Sequence, residues 1–326
     1  MPKLTIRLET WPIAGTFTIS RSSATESYVL VVELQEGNLV GRGECEPDDT
    51  DPAIGHIVAE QIYAVRQQIE QGISQKELLD LLPRGPARNA VDCALWDLAC
   101  KKQGKPIEAV TGIPPLKPLT TAYTISIDTL DVMAEKAALN KNRALLKIKL
   151  NADECLAKIN AIHAAAPDAK LIVDANEAWS LTQLQALAPE MAQLGVAMIE
   201  QPLPAGNDDG LATYAGPVPL CADESCLDRT SLAFVKERYQ FINIKLDKTG
   251  GLTEALLLAE EAEKMGLRIM VGCMVGTSLA MAPALIVAQK AEFVDLDGPL
   301  LLAKDRENGM RYENSLVYPA TPALWG

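Results

Sequence analysis

The chain has 326 residues, 48% of them hydrophobic, with a mean hydropathy of +0.06 and a formal net charge of −13. That is enough apolar material for one barrel-sized core plus a smaller domain, and it excludes a disordered chain. The negative charge, with no Lys/Arg-rich run, argues against nucleic acid or an anionic membrane as partner, and no apolar run reaches the roughly 18 residues that span a bilayer.

Cysteines stand at 45, 93, 100, 155, 221, 226 and 273, an odd number placed mostly inside apolar runs. Buried free thiols in a reducing cytoplasm fit this better than a disulfide framework. The paired His/Cys spacings of a zinc site are missing, and His56 and His163 lie on polar segments, so a zinc hydrolase is not expected. MPKLTIRLETW lacks a basic-then-apolar signal pattern. The expectation is a soluble cytoplasmic protein; whether it forms a homo-oligomer is left open.

Residues 1–113 read as an α+β domain. Alternating runs (KLTIRLETW, TFTIS, SYVLVVELQEG) come first, and the turn before NLVGRGE predicts a hairpin. Helices follow: Ser74 to Glu77 is a capping-box pattern ahead of LLDLL, and Val91, Ala94, Leu95, Leu98 and Ala99 form one helical stripe in ARNAVDCALWDLACKK. Pro114, Pro115 and Pro118 then mark a boundary.

From residue 119 to 301 strand and helix alternate. The predicted strands are TTAYTISI, ALLKIKL, KLIVDAN, VAMIEQP, VPLCADES, QFINIKLD, LRIMVGCM and EFVDLDG, with glycine-terminated helices such as SLTQLQALAPEMAQLG and GLTEALLLAEEAEKMG between them. Eight strands in βα alternation fit a (β/α) barrel; a doubly wound sheet is the rival, but no early strand is followed by G-x-G-x-x-G. The polar, Pro-containing stretch 302–326 is expected to run back over the first domain.

Charged residues stand where these strands end. Asp174, Glu200 and Asp223 are 26 and 23 residues apart, one strand–helix step each. A single aspartate after a strand is commonly a helix N-cap, but three at this spacing are not explained by capping. Three converging carboxylates make an all-oxygen site for a hard cation such as Mg²⁺. Asn176 shares the Asp174 side of the pleat, whereas Glu224 points the other way on a regular strand and reads as a structural partner.

Lys147 and Lys149 alternate with Leu146, Ile148 and Leu150, so both lysines face into a barrel. Side by side, two ammonium groups are expected to lower each other's pKa, a route to a lysine base. Lys245 is equally out of place in FINIKL, and Lys248 reads as a solvated or loop-anchoring residue. Asp295 and Asp297 share a face after the last strand; they read as a receptor for a cation such as a substrate ammonium, with capping of the next segment as the alternative.

Several motifs taken together resemble the enolase superfamily in its muconate-lactonizing subgroup, and within it the dipeptide epimerases of the L-Ala-D/L-Glu epimerase type. They are K-x-K at 147–149, D-x-N at 174–176, E-Q-P at 200–202, A-D-E-S at 222–225 and N-I-K-L-x-K-T-G-G at 243–251. RNAVDCALWDLA, Thr124 and the D-L-D of 295–297 fit that family too. The resemblance implies a (β/α)₇β modified TIM barrel under an N-terminal α+β capping domain. It also implies one Mg²⁺ per subunit on Asp174, Glu200 and Asp223, with a dipeptide as substrate. Lys149 and Lys245 would be the acid/base pair, serving the L and D configurations respectively, with Lys147 stabilising charge beside the metal and Asp295 and Asp297 holding the ammonium. Lysine or histidine bases working with Mg²⁺ are an established pattern in this superfamily.

One departure stands out. Family members that use Ala-Glu place an arginine where Ala24 aligns here, and Arg21 is not an obvious substitute. The loop ECEPDDTDP adds Glu46, Asp48, Asp49 and Asp51 nearby. Ala-Glu is therefore expected to be a poor substrate beside dipeptides with an uncharged or cationic C-terminal residue. The alternatives are o-succinylbenzoate synthase, N-acylamino acid racemisation, and a non-catalytic metal-stabilised barrel.

Overall fold

The computed structural model of the protein describes residues 1–48 and 51–326. The chain opens with an antiparallel meander of β1 (Lys3–Thr18), β2 (Ser23–Glu36) and β3 (Leu39–Cys45). Because strand side chains alternate, β2 is buried on both faces. Leu30, Val32 and Leu34 pack with Leu78, Val91, Ala94, Leu95 and Leu98 of the first helices, while Val29 and Val31 join the larger core. The Ser74–Glu77 capping box is formed, and helix Pro86–Gln103 is buried along nearly its whole length.

After Pro114, Pro115 and Pro118 comes a short strand, β4 (Leu119–Thr120), and then all eight predicted barrel strands. They are β5 (Tyr123–Ile125), β6 (Leu145–Lys149), β7 (Lys170–Asp174), β8 (Val196–Glu200), β9 (Leu220–Ala222), β10 (Phe241–Ile244), β11 (Arg268–Val271) and β12 (Phe293–Val294). They pair in parallel and in chain order, and the Ala122 N–H donates to Val294 O at 2.8 Å, bringing first and last together. This is the curled eight-stranded sheet of a modified TIM barrel beside a separate antiparallel sheet.

Period-two alternation sorts the barrel into layers. Leu145, Ile172, Met198, Cys221, Phe241, Met270 and Phe293 form an apolar layer inside the sheet, and Leu146, Ile148 and Leu150 turn outward to the helices. Two residues further along, the inward position is charged or polar on every one of these strands but β11, where it is Gly272: Lys147, Asp174, Glu200, Asp223, Asn243, Asp295. Apolar packing thus fills one end of the barrel and leaves the C-terminal end for polar groups.

Helix Pro86–Gln103 joins the two sheets. Arg88 donates from Nη2 to Thr249 O (2.7 Å) and from Nε to Gly250 O (3.1 Å). Asn89 Nδ2 donates to Asp247 Oδ1 (2.9 Å), and Asp92 accepts from the Thr253 N–H and Oγ1. Gly250 and Gly251 have φ of 78° and 111°, and a Cβ on either would run into Arg88 or Asp92 at 2.5 Å. Only glycine permits that approach.

The C-terminal stretch touches both parts. Strands β13 (Tyr312–Glu313) and β14 (Leu316–Val317) form a small sheet with β4, whereas Trp325 Nε1 donates to Cys93 O and the Gly326 N–H to Asp97. None of the described helices is long and apolar enough to cross a membrane.

Candidate active site

The parallel register places the charged residues side by side. Lys149 pairs with Asp174, Asp174 with Glu200, and Glu200 with Cys221, two residues before Asp223. Lys245 follows β10, four strands round from β6, so the two lysines reach the site from opposite sides. Thr124, Lys147, Lys149, Asp223, Lys245, Asp295 and Asp297 all line one cavity of about 270 Å³. Asp174 and Glu200 lie beneath it, fully buried against Lys147.

Asp174, Glu200, Asp223 and Asp295 are each turned onto an ammonium. Lys147 Nζ stands 2.8 Å from Glu200, 2.8 Å from Asp295 and 3.2 Å from Asp174. Lys149 Nζ donates to Asp174 at 2.6 Å and to Asn176 Oδ1 at 3.1 Å, and Lys245 Nζ to Asp223 Oδ2 at 2.7 Å. Burial opposes the charge on Asp174, but Lys149 and Lys147 outweigh it and bring the carboxyl down to about 2. For Glu200 burial prevails, helped by Asp174, and the group is pushed up to about 7.

The lysines correct one expectation. Lys147 does not have its pKa lowered by its neighbour: burial acts that way, but Asp295, Glu200 and Asp174 push it well above the ordinary range. Burial likewise opposes the charge on Lys245, and Asp223 more than reverses the effect. Three carboxylates at contact distance outweigh one like charge two residues away.

Among the described residues, no three His, Cys, Asp or Glu side chains already converge on a single point. The donor set still fits a hard divalent cation. Asp174, Glu200 and Asp223 come from successive strands and offer only oxygen, and the Lys147 ammonium stands between the first two as a cation would. Glu200 Oε2 is buried and, although 2.8 Å from Lys147 Nζ, accepts no hydrogen bond.

Sequence reasoning missed several neighbours. Strand β9 stops at Ala222, so alternation does not carry Glu224 to the far side; it lines the same cavity. Burial, then Asp223 and Asp174, raise its pKa. Of the two readings of Lys248, solvated or loop-anchoring, the second holds: it donates to three backbone carbonyls, and also to the Asp223 carboxylate, which the sequence did not suggest. Asn243 Nδ2 donates to Glu200 Oε1 at 2.6 Å, and Gln201 Oε1 accepts from the Asp223 and Ser225 N–H groups. Gln201 has φ of 33°, a conformation no residue pattern announces.

The tip of the β1–β2 hairpin closes the cavity over β7. Ser20 Oγ donates to Asn176 O at 2.7 Å, and Arg21 pairs with Glu177 (2.9 Å) and Glu224 (2.8 Å). Ala24, Glu46 and Asp48 line the cavity; Asp51 accepts from the Ala53 N–H, and Asp49 lies outside the described residues. Asp297 accepts from the Thr124 N–H at 2.6 Å; its burial, with Asp295 adjacent, raises it to about 7.

Known proteins resemble this chain in sequence and fold. Residues 1–112 match the mandelate racemase/muconate lactonizing enzyme N-terminal domain, and residues 132–317 the enolase C-terminal domain-like family. The chain is 46% identical to the L-Ala-D/L-Glu epimerase of Escherichia coli over 93% of its own length and 95% of that protein. It is 47% identical to an N-acetyl-D-glutamate racemase of a Pseudoalteromonas species, over 77% and 79% of the two chains. An enolase family member from Agrobacterium tumefaciens, described as homologous to dipeptide epimerases and solved with sodium and L-Ala-L-Glu, superposes with a TM-score of 0.96 at 49% identity, both chains covered in full. The chain therefore belongs to the enolase superfamily, in its mandelate racemase/muconate lactonizing branch.

Proposed function

We propose that the protein is a dipeptide epimerase, an isomerase that inverts the α-carbon of the C-terminal residue of an L-Ala-L-Xaa-type dipeptide. Asp174, Glu200 and Asp223 would hold one Mg²⁺, which when bound supplies charge withdrawal from the substrate's C-terminal carboxylate. Lys149 takes the α-proton of an L residue from one face. Lys245, held protonated by Asp223, returns a proton to the other face, and the reverse reaction exchanges the two roles. Lys147 stays charged in the cavity wall and offsets the negative charge that develops as the α-proton leaves.

The observation that carries the dipeptide reading is the state of Asp297. It is 2% exposed, its carboxylate accepts from Thr124, and among the described residues no side-chain cation pairs with it. A substrate ammonium supplies the missing partner, with Asp295 and Thr124 beside it. Asp297→Asn should therefore lower kcat/KM for a free dipeptide at least tenfold and leave an N-acetylated analogue unchanged; equal effects on both would remove the ammonium role.

The racemase name of the Pseudoalteromonas relative makes N-acylamino acids the second reading. Such substrates carry no ammonium and leave Asp297 without its partner. The division into a capping unit, 1–113, joined by the tail 302–326, and a barrel, 119–301, belongs to the same proposal; the contacts of Trp325 and Gly326 with helix Pro86–Gln103 support it. The reducing cytoplasm suits seven cysteines that are all free.

A further inference from the structure

Lys248 lies one helical turn beyond Lys245, on the short helix Leu246–Thr249. Its ammonium, with the side chain 10% exposed, donates to Asp223 Oδ1, Asp223 O (2.5 Å), Asn243 O (2.9 Å) and Cys226 O (3.1 Å). An ammonium has three protons, so these four acceptors use its whole capacity. The carbonyls of 223 and 226 bracket the turn after β9, and that of 243 belongs to β10. One side chain thus ties together the two strand ends that carry Asp223 and Lys245.

Asp223 has two lysines, one on each oxygen: Lys248 on Oδ1 and Lys245 on Oδ2. They are not equivalent. Among the described residues Lys245 donates to no other carboxylate or carbonyl, so it can leave for the cavity it lines. Lys248 is held by three backbone carbonyls whatever the carboxylate does. An ion or a substrate that displaces Lys245 from Oδ2 leaves Oδ1 still compensated.

We infer that Lys248 is a positioning residue that fixes Asp223 for the metal and frees Lys245 for proton transfer; this rests on the roles proposed above for those two residues. Without the Lys248 charge, Lys245 is the one ammonium left paired with Asp223 among the described residues, and Asp223 keeps it. The chemistry of the D face should then suffer more than that of the L face, which Lys149 serves from the opposite side.

The test is Lys248→Met, which keeps the stem and removes the ammonium. Free Mn²⁺, counted by electron paramagnetic resonance in a binding titration, should show the dissociation constant rising at least tenfold. At saturating metal in D₂O, α-proton exchange of the D epimer should fall at least tenfold and that of the L epimer less than threefold. Unchanged Mn²⁺ affinity, or equal loss of both exchanges, overturns the inference. Lys248→Gln keeps an uncharged donor near the carbonyls and is read in the same two ways, deciding the matter if the methionine variant does not fold. If the unmodified protein exchanges no dipeptide proton, the proposed function fails, and the Mn²⁺ titration alone decides the role of Lys248.

Discussion

The two lysines that face each other across the cavity are held by different means. Lys149 is the last residue of β6, in register with Asp174 on β7, and its partners Asp174 and Asn176 come from the neighbouring strand end. Lys245 stands one residue beyond β10, where the ladder has ended, and the turn that follows is clamped from outside by Arg88, Asn89 and Asp92 of helix Pro86–Gln103. A strand end is positioned by its hydrogen-bond ladder. A residue past the ladder needs another element to hold it, and here the capping unit supplies that element.

Removing the metal should erase both halves together. Activity is expected to vanish with EDTA and to return with Mg²⁺ or Mn²⁺, Zn²⁺ serving poorly at an all-carboxylate site. Full activity after exhaustive chelation, measured as epimerisation of a dipeptide, breaks the ligand assignment.

The lysines should separate the halves. Lys149→Ala and Lys245→Ala should each lower net epimerisation by about 10²–10⁴-fold. Lys149→Ala should still exchange the α-proton of the D epimer, and Lys245→Ala that of the L epimer, as followed by NMR in D₂O. If both variants lose both exchanges while folded and metal-loaded, the two-base scheme goes.

A smaller effect should come from the clamp, because it is titratable. Burial pushes Asp92 and Asp247 up to about 7 against an unfolded value of about 3.9. Between those limits the folded protein binds more protons than the unfolded chain. Their contribution is therefore complete below pH 4 and is lost as pH rises through about 7. Asp92→Asn should shrink the fall in Tm between pH 5 and pH 8 by roughly 3–4 °C, about 2–3 kcal/mol. An unaltered slope in scanning calorimetry would show that Asp92 does not titrate in the fold.

The smallest expected change concerns the hairpin tip over the Lys149 half. Arg21 is engaged by Glu177 and Glu224, so a glutamate side chain on the substrate would have to compete with both. Ala24→Arg should raise kcat/KM for Ala-Glu relative to Ala-Leu about tenfold, a change of about 1.4 kcal/mol. If the unmodified protein already prefers Ala-Glu over Ala-Ala, Ala-Leu and Ala-Lys, Arg21 is its receptor after all.

The barrel was legible because its signals repeat. Eight apolar runs, each followed by a helix, and acids one step apart leave little freedom, and the alternation of Lys147 and Lys149 with leucine and isoleucine told which way they face. A local signal also held: the capping box at Ser74 is formed. What stayed hidden lies where periodicity ends. Glu224 follows a strand that stops early, Gln201 adopts a positive φ, and Lys248 turns inward on a helix of one turn. The docking of Arg88, Asn89 and Asp92 joins residues some 160 positions apart, and no local pattern specifies that pairing.

The most direct measurement of the central claim is mass spectrometry of a mixed L-Ala-L-Xaa library, incubated with the Mg²⁺-loaded protein in D₂O beside the N-acetylated counterparts. The account predicts that free dipeptides gain a single deuteron at the α-carbon of the C-terminal residue, and that the N-acetylated set lags at least tenfold. Exchange in the N-acetylated set alone, or in neither set, would contradict it.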